Sequence, residues 1–484
     1  MLGMVNAKVW LRDIGQEFAG AQLGDARRSG RLRRVARAAV RSPDAGFPQM
    51  VESDSELEGV YRFLGNEEVT AEAILRPHLA ATMKRAQEAE LCLVVHDTTD
   101  FKFRGTADRQ GLGMVGGSGQ GFYGHFALAV LPGKARLPLG ICGFERVNRQ
   151  VRKDTVRKRH SFYIAKDPTR ESLRWLRVLK AVESQRQQCQ CIHVMDREAD
   201  MFDLMSLAHD LGARFVIRGD KERALVGQVS FVADLLGELA PQTYRHALLS
   251  PRVPTRRHQT IKPLRGKSKQ RFVPRPERVA KLSIGSSVVE FRRPRTAHSD
   301  LRSLKVNLVY AWEAAPPKGE VPVDWVLFTT EPIDTPEQLH SIIDHYQSRW
   351  LIEEYFKALK TGCAFEKRQL ESYHSLSNAL AVFSVIAWRM LLLRAISRTT
   401  PTAKATTVLS QTQLRLICHR LKLSNPLETA LDALLAVARL GGHIRNNGDP
   451  GWLTLGRGYE KLLLLEAGWQ AAADQILGED VINP

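Results

Sequence analysis

The stretch from Asp344 to Lys360, DHYQSRWLIEEYFKALK, constrains the chain most. It holds no Gly or Pro before Gly362 and is rich in Leu, Ile, Glu, Lys and Ala. It therefore predicts one continuous helix that stops at Gly362. Tyr346, Arg349, Glu353 and Lys360 stand at offsets of 0, 3, 7 and 14. At about 100° per residue they fall at roughly 0°, 300°, 340° and 320°, a strip about 60° wide and about 21 Å long. One face thus carries an aromatic ring, a guanidinium, a carboxylate and an ammonium, while Glu354 points about 100° away. Such a face suits a phosphodiester together with a divalent metal. The plainer alternative is a solvated face held by an i,i+4 pair between Arg349 and Glu353.

Charge narrows the choice. The 484 residues carry 70 Lys and Arg against 52 Asp and Glu, a net +18. A surplus of that size points to a polyanionic partner, of which nucleic acid is the commonest. A membrane surface is the rival, but no long basic amphipathic segment with a full apolar face stands out. The first ten residues, MLGMVNAKVW, contain no signal-peptide core, so a cytoplasmic chain is expected. The longest apolar run, Ala379 to Trp388, is too short to span a bilayer and reads as a buried helix. The cysteines at 92, 142, 189, 191, 363 and 418 lack a second close pair beside Cys189-Gln-Cys191, so buried thiols are expected rather than a zinc site.

The first 70 residues read as helical. Asp25 is placed to cap a helix through ARRSGRLRRVARAAVR, with Leu32, Val35, Ala36 and Ala39 as its apolar stripe. Seven arginines, Arg27, Arg28, Arg31, Arg33, Arg34, Arg37 and Arg41, follow one another with no acid between. That self-repulsion favours a face that meets phosphates. Ser53 or Ser55 and then Thr70 are placed to cap the next helices.

Beyond them the pattern turns to α/β. Leu91 to Val95 is a buried strand, with the polar cluster His96-Asp97-Thr98-Thr99-Asp100 expected at its end. Residues 121–131 and 138–144 read as strands, and the glycines before the first as a hairpin turn, not a phosphate loop. Residues 171–188 read as a helix, Cys191 to Met195 as a strand ending at Asp196, and Arg214 to Arg218 as another. From Arg252 to Lys281 there are eleven Lys or Arg, four Pro and one acid, Glu277. Alternation resumes in Val288 to Phe291 and Leu304 to Trp312, so a basic β-insertion is expected. Trp325 to Thr329 is a further strand, and the chain from 369 onward is helical.

Asp97 and Asp196 thus sit at strand ends and Glu353 on a helix. Carboxylates at strand ends of an α/β sheet converge on one rim, where they repel one another unless cations bind them. Oxygen ligands suit magnesium or manganese, and two such ions support in-line phosphoryl displacement. Asp100, Glu198 and Asp200 are decoys, the last two expected to start the next helix.

These residues resemble the cut-and-paste DDE transposases of bacterial insertion sequences, in the branch with a tyrosine-arginine-glutamate-lysine signature. HDTTDF places the first aspartate on Asp97 and VMDREAD the second on Asp196. Tyr346, Arg349, Glu353 and Lys360 match the signature's spacing, with Glu353 as third ligand. LGDARRSGRL and YRFLGNEEV resemble the family's terminal-repeat-binding region, and ARLGGHIRNNGDPGW its dimerisation region. The resemblance implies an RNase H-like catalytic core with a β-rich insertion, flanked by helical N- and C-terminal domains. Its expected segments are 1–70 for DNA binding, 71–368 for catalysis with the insertion at about 246–322, and 369–484 for dimerisation. It implies two magnesium ions per active site, replaceable by manganese, held by Asp97, Asp196 and Glu353. Tyr346, Arg349 and Lys360 would hold the DNA backbone, Arg218 the element-end DNA, and Trp325 a flipped base with Trp350 nearby. Arg27, Arg28 and Arg31 would meet the terminal repeat. Double-stranded DNA and a second copy of the chain are the implied partners, in the bacterial cytoplasm at the nucleoid. A nuclease on the same fold without strand transfer, and an inactive DNA-binding repressor, are the alternatives.

Overall fold

The computed structural model of the chain describes residues 13–105, 108–116, 119–133, 136–149, 170–186, 188–249, 276–444 and 450–479. Helices α1 (Ala26–Arg41), α2 (Asp54–Leu64) and α3 (Ala71–Gln87) lead into strands β1 (Cys92–Lys102), β2 (Met114–Val115), β3 (Gly119–Val130) and β4 (Pro138–Val147). Then come α4 (Leu173–Glu183), β5 (Cys191–Met195), α5 (Phe202–Asp210), β6 (Arg214–Arg218), α6 (Val232–Glu238) and β7 (Thr243–Leu249). Strands β8 (Arg278–Arg292), β9 (Ser303–Trp312) and β10 (Asp324–Thr329) precede α7 (Pro336–Ser348) and α8 (Trp350–Lys357). The chain ends with α9 (Tyr373–Thr399), α10 (Gln411–Arg420), α11 (Ala430–Leu440) and α12 (Trp452–Glu479). The fold is mixed α/β, with helical N- and C-terminal regions.

The chain forms two compact units. The first holds everything up to β4, then α4 and β5 as far as Ile192, and everything from Ser348 on; the second holds His193–Gln347. In the first unit the predicted caps all form. Asp25 accepts the Arg27 N–H at 2.7 Å, Ser53 that of Glu56 and Thr70 that of Ala73. Leu32, Val35, Ala36 and Ala39 are buried, leaving the arginines of α1 on the other face. Val115 pairs with Gly119, so the glycine stretch closes a hairpin. Among the described residues only α9 is long and apolar enough to cross a membrane, and 89% of its apolar window is buried in the protein. The apolar run at 379–388 is thus the middle of a 27-residue core helix.

In the second unit β6, β10, β9, β8 and β7 pair antiparallel in that order. Strands β7 to β9 lie in and beside the stretch where an insertion is expected, and the alternating runs at 288–291 and 304–312 lie in β8 and β9. One face of this sheet packs inward: Ala247, Ala280 and Leu282 form a buried cluster, and Arg245 reaches Asp344 of α7 at 2.5 Å. The most basic part of the insertion, 252–275, lies outside the described residues.

Three expectations are corrected. Asp97 is not at a strand end. β1 runs on to Lys102 because β3 is as long and pairs with it to the end, Asp97 opposite Phe126 and Lys102 opposite Gly121. What ends at His96 is the buried part of the strand, since Asp97 to Asp100 are only half-buried. The stretch 344–360 is not one helix either. α7 ends at Ser348, α8 begins at Trp350, and Ala358–Gly362 is a π-turn in which the Cys363 N–H bonds to the Ala358 carbonyl at 2.8 Å. Arg349 keeps helical angles, φ −54° and ψ −32°, while the Ile352 N–H turns back three residues to its carbonyl at 3.1 Å. Nothing in the composition signals this break, because no Gly or Pro causes it. Lastly, Asp200 does not start a helix; it is buried beside Arg223.

Candidate active site and nucleic-acid interface

In the first unit, strand β1 and helix α8 meet through one side chain. Arg349 donates from Nη1 to Asp97 Oδ2 at 2.8 Å and from Nη2 to Glu353 Oε1 at 2.8 Å. The i,i+4 pair foreseen on the helix is made, and its guanidinium also brings in an acid 252 residues away along the chain. All three side chains are mostly shielded, with relative exposures of 16% for Arg349, 17% for Asp97 and 30% for Glu353. Asp97 is fixed further by the Thr98 N–H, which donates to Oδ1 at 2.7 Å.

Behind the strand a relay holds Thr98. Arg174 Nε donates to Thr98 Oγ1 at 2.9 Å, and that hydroxyl lies 2.9 Å from His125 Nδ1. The hydroxyl has two lone pairs, so it accepts from Arg174 and still has capacity to pair with the ring. His125 is fully buried, and burial, with help from Arg174, pushes its pKa well below the usual range, so the ring stands neutral. Sequence reading did not find Arg174 or His125. Neither belongs to a spaced motif, and only the fold brings them to β1.

Lys360 is turned by the π-turn toward β1, where its Nζ lies 2.9 Å from Asp100 Oδ1; Lys102 reaches the other oxygen at 2.7 Å. Burial alone would raise the Asp100 pKa, but the hydrogen bonds from Lys102 and Lys360 outweigh it and bring it to about 2. The supposed decoy therefore anchors a signature lysine. Glu354 faces away, as expected, and pairs with Lys357 at 2.7 Å and Arg394 at 2.9 Å. Trp350 is 57% exposed, with Lys357 Nζ 5.9 Å from its ring centre.

The second unit holds the remaining candidates. Asp196 follows β5, as predicted, and caps the 3-10 turn Arg197–Ala199 by accepting the Glu198 N–H at 2.9 Å. Asp200 is locked by Arg223 and by the Asp220 N–H at 2.7 Å. Arg218 ends β6 and donates to the Asp324 carbonyl at 3.5 Å. Trp325 on β10 meets Tyr346 edge to face at 5.6 Å, and Tyr346 is buried. Of the four signature residues, then, Arg349, Glu353 and Lys360 belong to the first unit and Tyr346 to the second.

The N-terminal helices form a cationic cleft of about 640 Å³, lined by Arg27, Arg28, Arg31, Arg33, Arg34 and Arg62 among others. Arg27 is 93% exposed. Arg28 donates to the Leu23 carbonyl at 2.9 Å. Arg31 lies on Gly59, where an added Cβ would stand 2.7 Å from its guanidinium carbon. Glycine at 59 thus lets α1 and α2 approach with an arginine between them.

The acids present hard oxygen donors, which fit magnesium or manganese and not a soft metal. Among the described residues no group of three or more His, Cys, Asp or Glu side chains stands ready to hold an ion. What stands ready is a carboxylate pair on one guanidinium. The cysteines are free thiols.

An acid pair bridged between a strand and a helix, with an arginine-lined cleft in the same unit, is the equipment of a protein class that handles polyanions. Comparison with known families states which kind. Residues 10–69 match the transposase DNA-binding family and residues 171–388 the transposase DDE domain. Together the matches cover more than half of the chain, and the protein belongs to the insertion-sequence DDE transposases. It is a DNA-binding transposase enzyme, and its DDE domain carries an RNase H-like core. Asp196 and Glu353 lie inside the DDE match and Asp97 outside it. The bonds of Arg349 join Asp97 to Glu353.

Proposed function

We propose that the chain excises and reinserts its own element by cut-and-paste transposition, as in the branch with the tyrosine-arginine-glutamate-lysine signature. The observation that carries this reading is Arg349 shared between Asp97 and Glu353, because it joins the first-aspartate strand to the signature helix. Asp97, Asp196 and Glu353 are the proposed ligands of two magnesium ions, which manganese can replace. Bound there, such ions would activate a water or a 3′-hydroxyl and stabilise the leaving oxygen.

The chain's own residues do the rest. Arg27, Arg28 and Arg31 grip the terminal repeat, and Arg218 the DNA of the element end. Arg349 and Lys360 hold the backbone beside the scissile phosphate, with Tyr346 supporting Trp325. A base flipped from the duplex stacks on Trp325, with Trp350 close by, which relieves strain when the strand folds back. The sequence of reactions is a nick at the element end, attack of the freed 3′-hydroxyl on the opposite strand to form a hairpin, opening by water, and attack on target DNA. Residues 1–70 serve recognition, 71–368 catalysis with the insertion at about 246–322, and 369–484 dimerisation. A homodimer bridges two ends, each subunit cutting the end held by its partner.

Purified protein incubated with end-sequence duplex and magnesium is expected to give nicked, hairpin and strand-transfer products in succession. Nicks without hairpin or joined product would leave a nuclease. No product at all, with Asp97→Ala and wild type alike, would reject the reading outright.

A further inference from the structure

The outer face of the insertion sheet has an unusual surface. An antiparallel sheet with one face packed inward normally shows polar side chains on the other. Here the row Tyr244, Ser283, Trp312 and Asp324 crosses four strands in register on the face opposite the buried Ala247, Ala280 and Leu282. Tyr244 is 55% exposed, and beside it Leu248 and Val279 are 66% and 61% exposed. Trp312 lies parallel to Tyr310, with centroids 4.7 Å apart and planes 14° from one another. Each end of this aromatic track carries an ammonium over a ring: Lys281 Nζ is 5.3 Å from the Tyr244 centre, and Lys221 Nζ 5.3 Å from that of Tyr310. Asp324 is the acid in the row, and Lys221 binds it at 2.6 Å.

On β9 and β10 the rest of this face is buried, Leu308 and Phe328 fully so, and only its Tyr244 end is open. From this juxtaposition we propose that the Tyr244 end of this face, with Trp312 beside it, is a stacking platform for unpaired DNA. The proposal rests on the transposition reading above and assigns the sheet a ligand of its own, separate from the base taken by Trp325. Flat rings backed by ammonium groups take any base by its face and leave its phosphate near a cation, which is how strand-tolerant binding works. Tyr244 and Trp312 lie two strand spacings apart, roughly 10 Å, so each can take a separate base. The charge fits a nucleic acid at the Tyr244 end, where Lys281 stands over the ring; Lys221 at the other end is paired with Asp324. Trp325 is not part of this track. It is opposite Ala311, one residue out of step with Trp312, and so projects to the other face against Tyr346.

The test uses full-length protein and a (dT)20 strand bearing 5-iodouracil, with ultraviolet crosslinking and peptide mapping by mass spectrometry. Crosslinks at Tyr244 or Trp312 are expected. In parallel, Tyr244→Ala should weaken (dT)20 binding about tenfold, Tyr244→Phe should restore it, and end-duplex binding should stay unchanged. Crosslinks confined to other regions, with Tyr244→Ala binding as wild type does, overturn the platform. A change of oligomeric state in Tyr244→Ala with (dT)20 binding intact also overturns it, since the face would then belong to a protein interface. Wild-type nicking of end duplex is measured in the same preparations. Retained nicking without platform crosslinks rejects the platform alone, whereas absent nicking rejects the transposition reading.

Discussion

Arg349 spends both ends of its guanidinium on acids, and removing either acid has a different meaning from removing the arginine. Asp97→Asn and Glu353→Gln keep the shape of the site but lose a charged oxygen donor. Each is expected to cut end nicking by about a thousandfold or more while end-duplex binding, measured by anisotropy, stays within about twofold. Equal losses of binding and cleavage would contradict their assignment as ligands. A second residue-scale prediction concerns Glu17, buried against His78 at 2.5 Å and Arg85 at 2.9 Å. His78 Nε2 accepts the Ile141 N–H at 3.1 Å, so the ring is neutral and donates from Nδ1 to Glu17. Burial would raise the Glu17 pKa, but His78 and Arg85 prevail and it falls from 4.5 to about 2. A depressed carboxylate pKa gives stability that is complete above 4.5 and is lost as pH drops through about 2. Glu17→Gln should therefore lower the melting temperature at pH 7 and flatten its fall between pH 4.5 and 2, followed by calorimetry.

At the level of elements, the strands and caps were legible and the helix break was not. Asp25, Ser53 and Thr70 cap helices because a short acceptor before an apolar-periodic run has one use there. Alternation found β8 and β9 because one face of that sheet is buried. The break at Arg349 and the π-turn at Ala358–Gly362 come from tertiary demands: Arg349 must reach β1 and Lys360 must reach Asp100. Neither demand is written in local propensity. Strand length was misread for a similar reason, since β1 is extended past its buried core by its partner β3. Glycines mark another nonlocal contact. α11 and α12 cross so closely that an added Cβ on Gly458 would stand 1.8 Å from the Val437 carbonyl oxygen, and one on Gly441 1.9 Å from that of Thr454. Gly458→Ala is expected to destabilise this C-terminal pair by about 1–3 kcal/mol, seen as earlier denaturant unfolding, while Gly468→Ala, with open space around it, should be neutral or better.

Across the whole molecule, the site divides into what sequence order revealed and what it hid. The acids Asp97, Asp196 and Glu353 are proposed from motif order. That Asp97 and Glu353 share a guanidinium, and that His125 and Arg174 hold Thr98 on the strand that carries Asp97, required coordinates. Contacts of the N-terminal segment add a further consequence. Arg37 on α1 binds Asp13, Glu17 of the 3-10 turn Ile14–Phe18 that Asp13 caps binds α3, and His78 of α3 accepts a bond from Ile141 of β4. β4 pairs with β3 and β3 with β1, the strand of Asp97. The arginine helix proposed to grip the terminal repeat is therefore fastened by direct contacts to the strand of Asp97, and the gap between them would act as a ruler. Sliding the recognised sequence by one base pair relative to the element boundary should slide the nick by one base pair with it, read on a sequencing gel; a nick that stays at the boundary would mean the enzyme reads the junction itself.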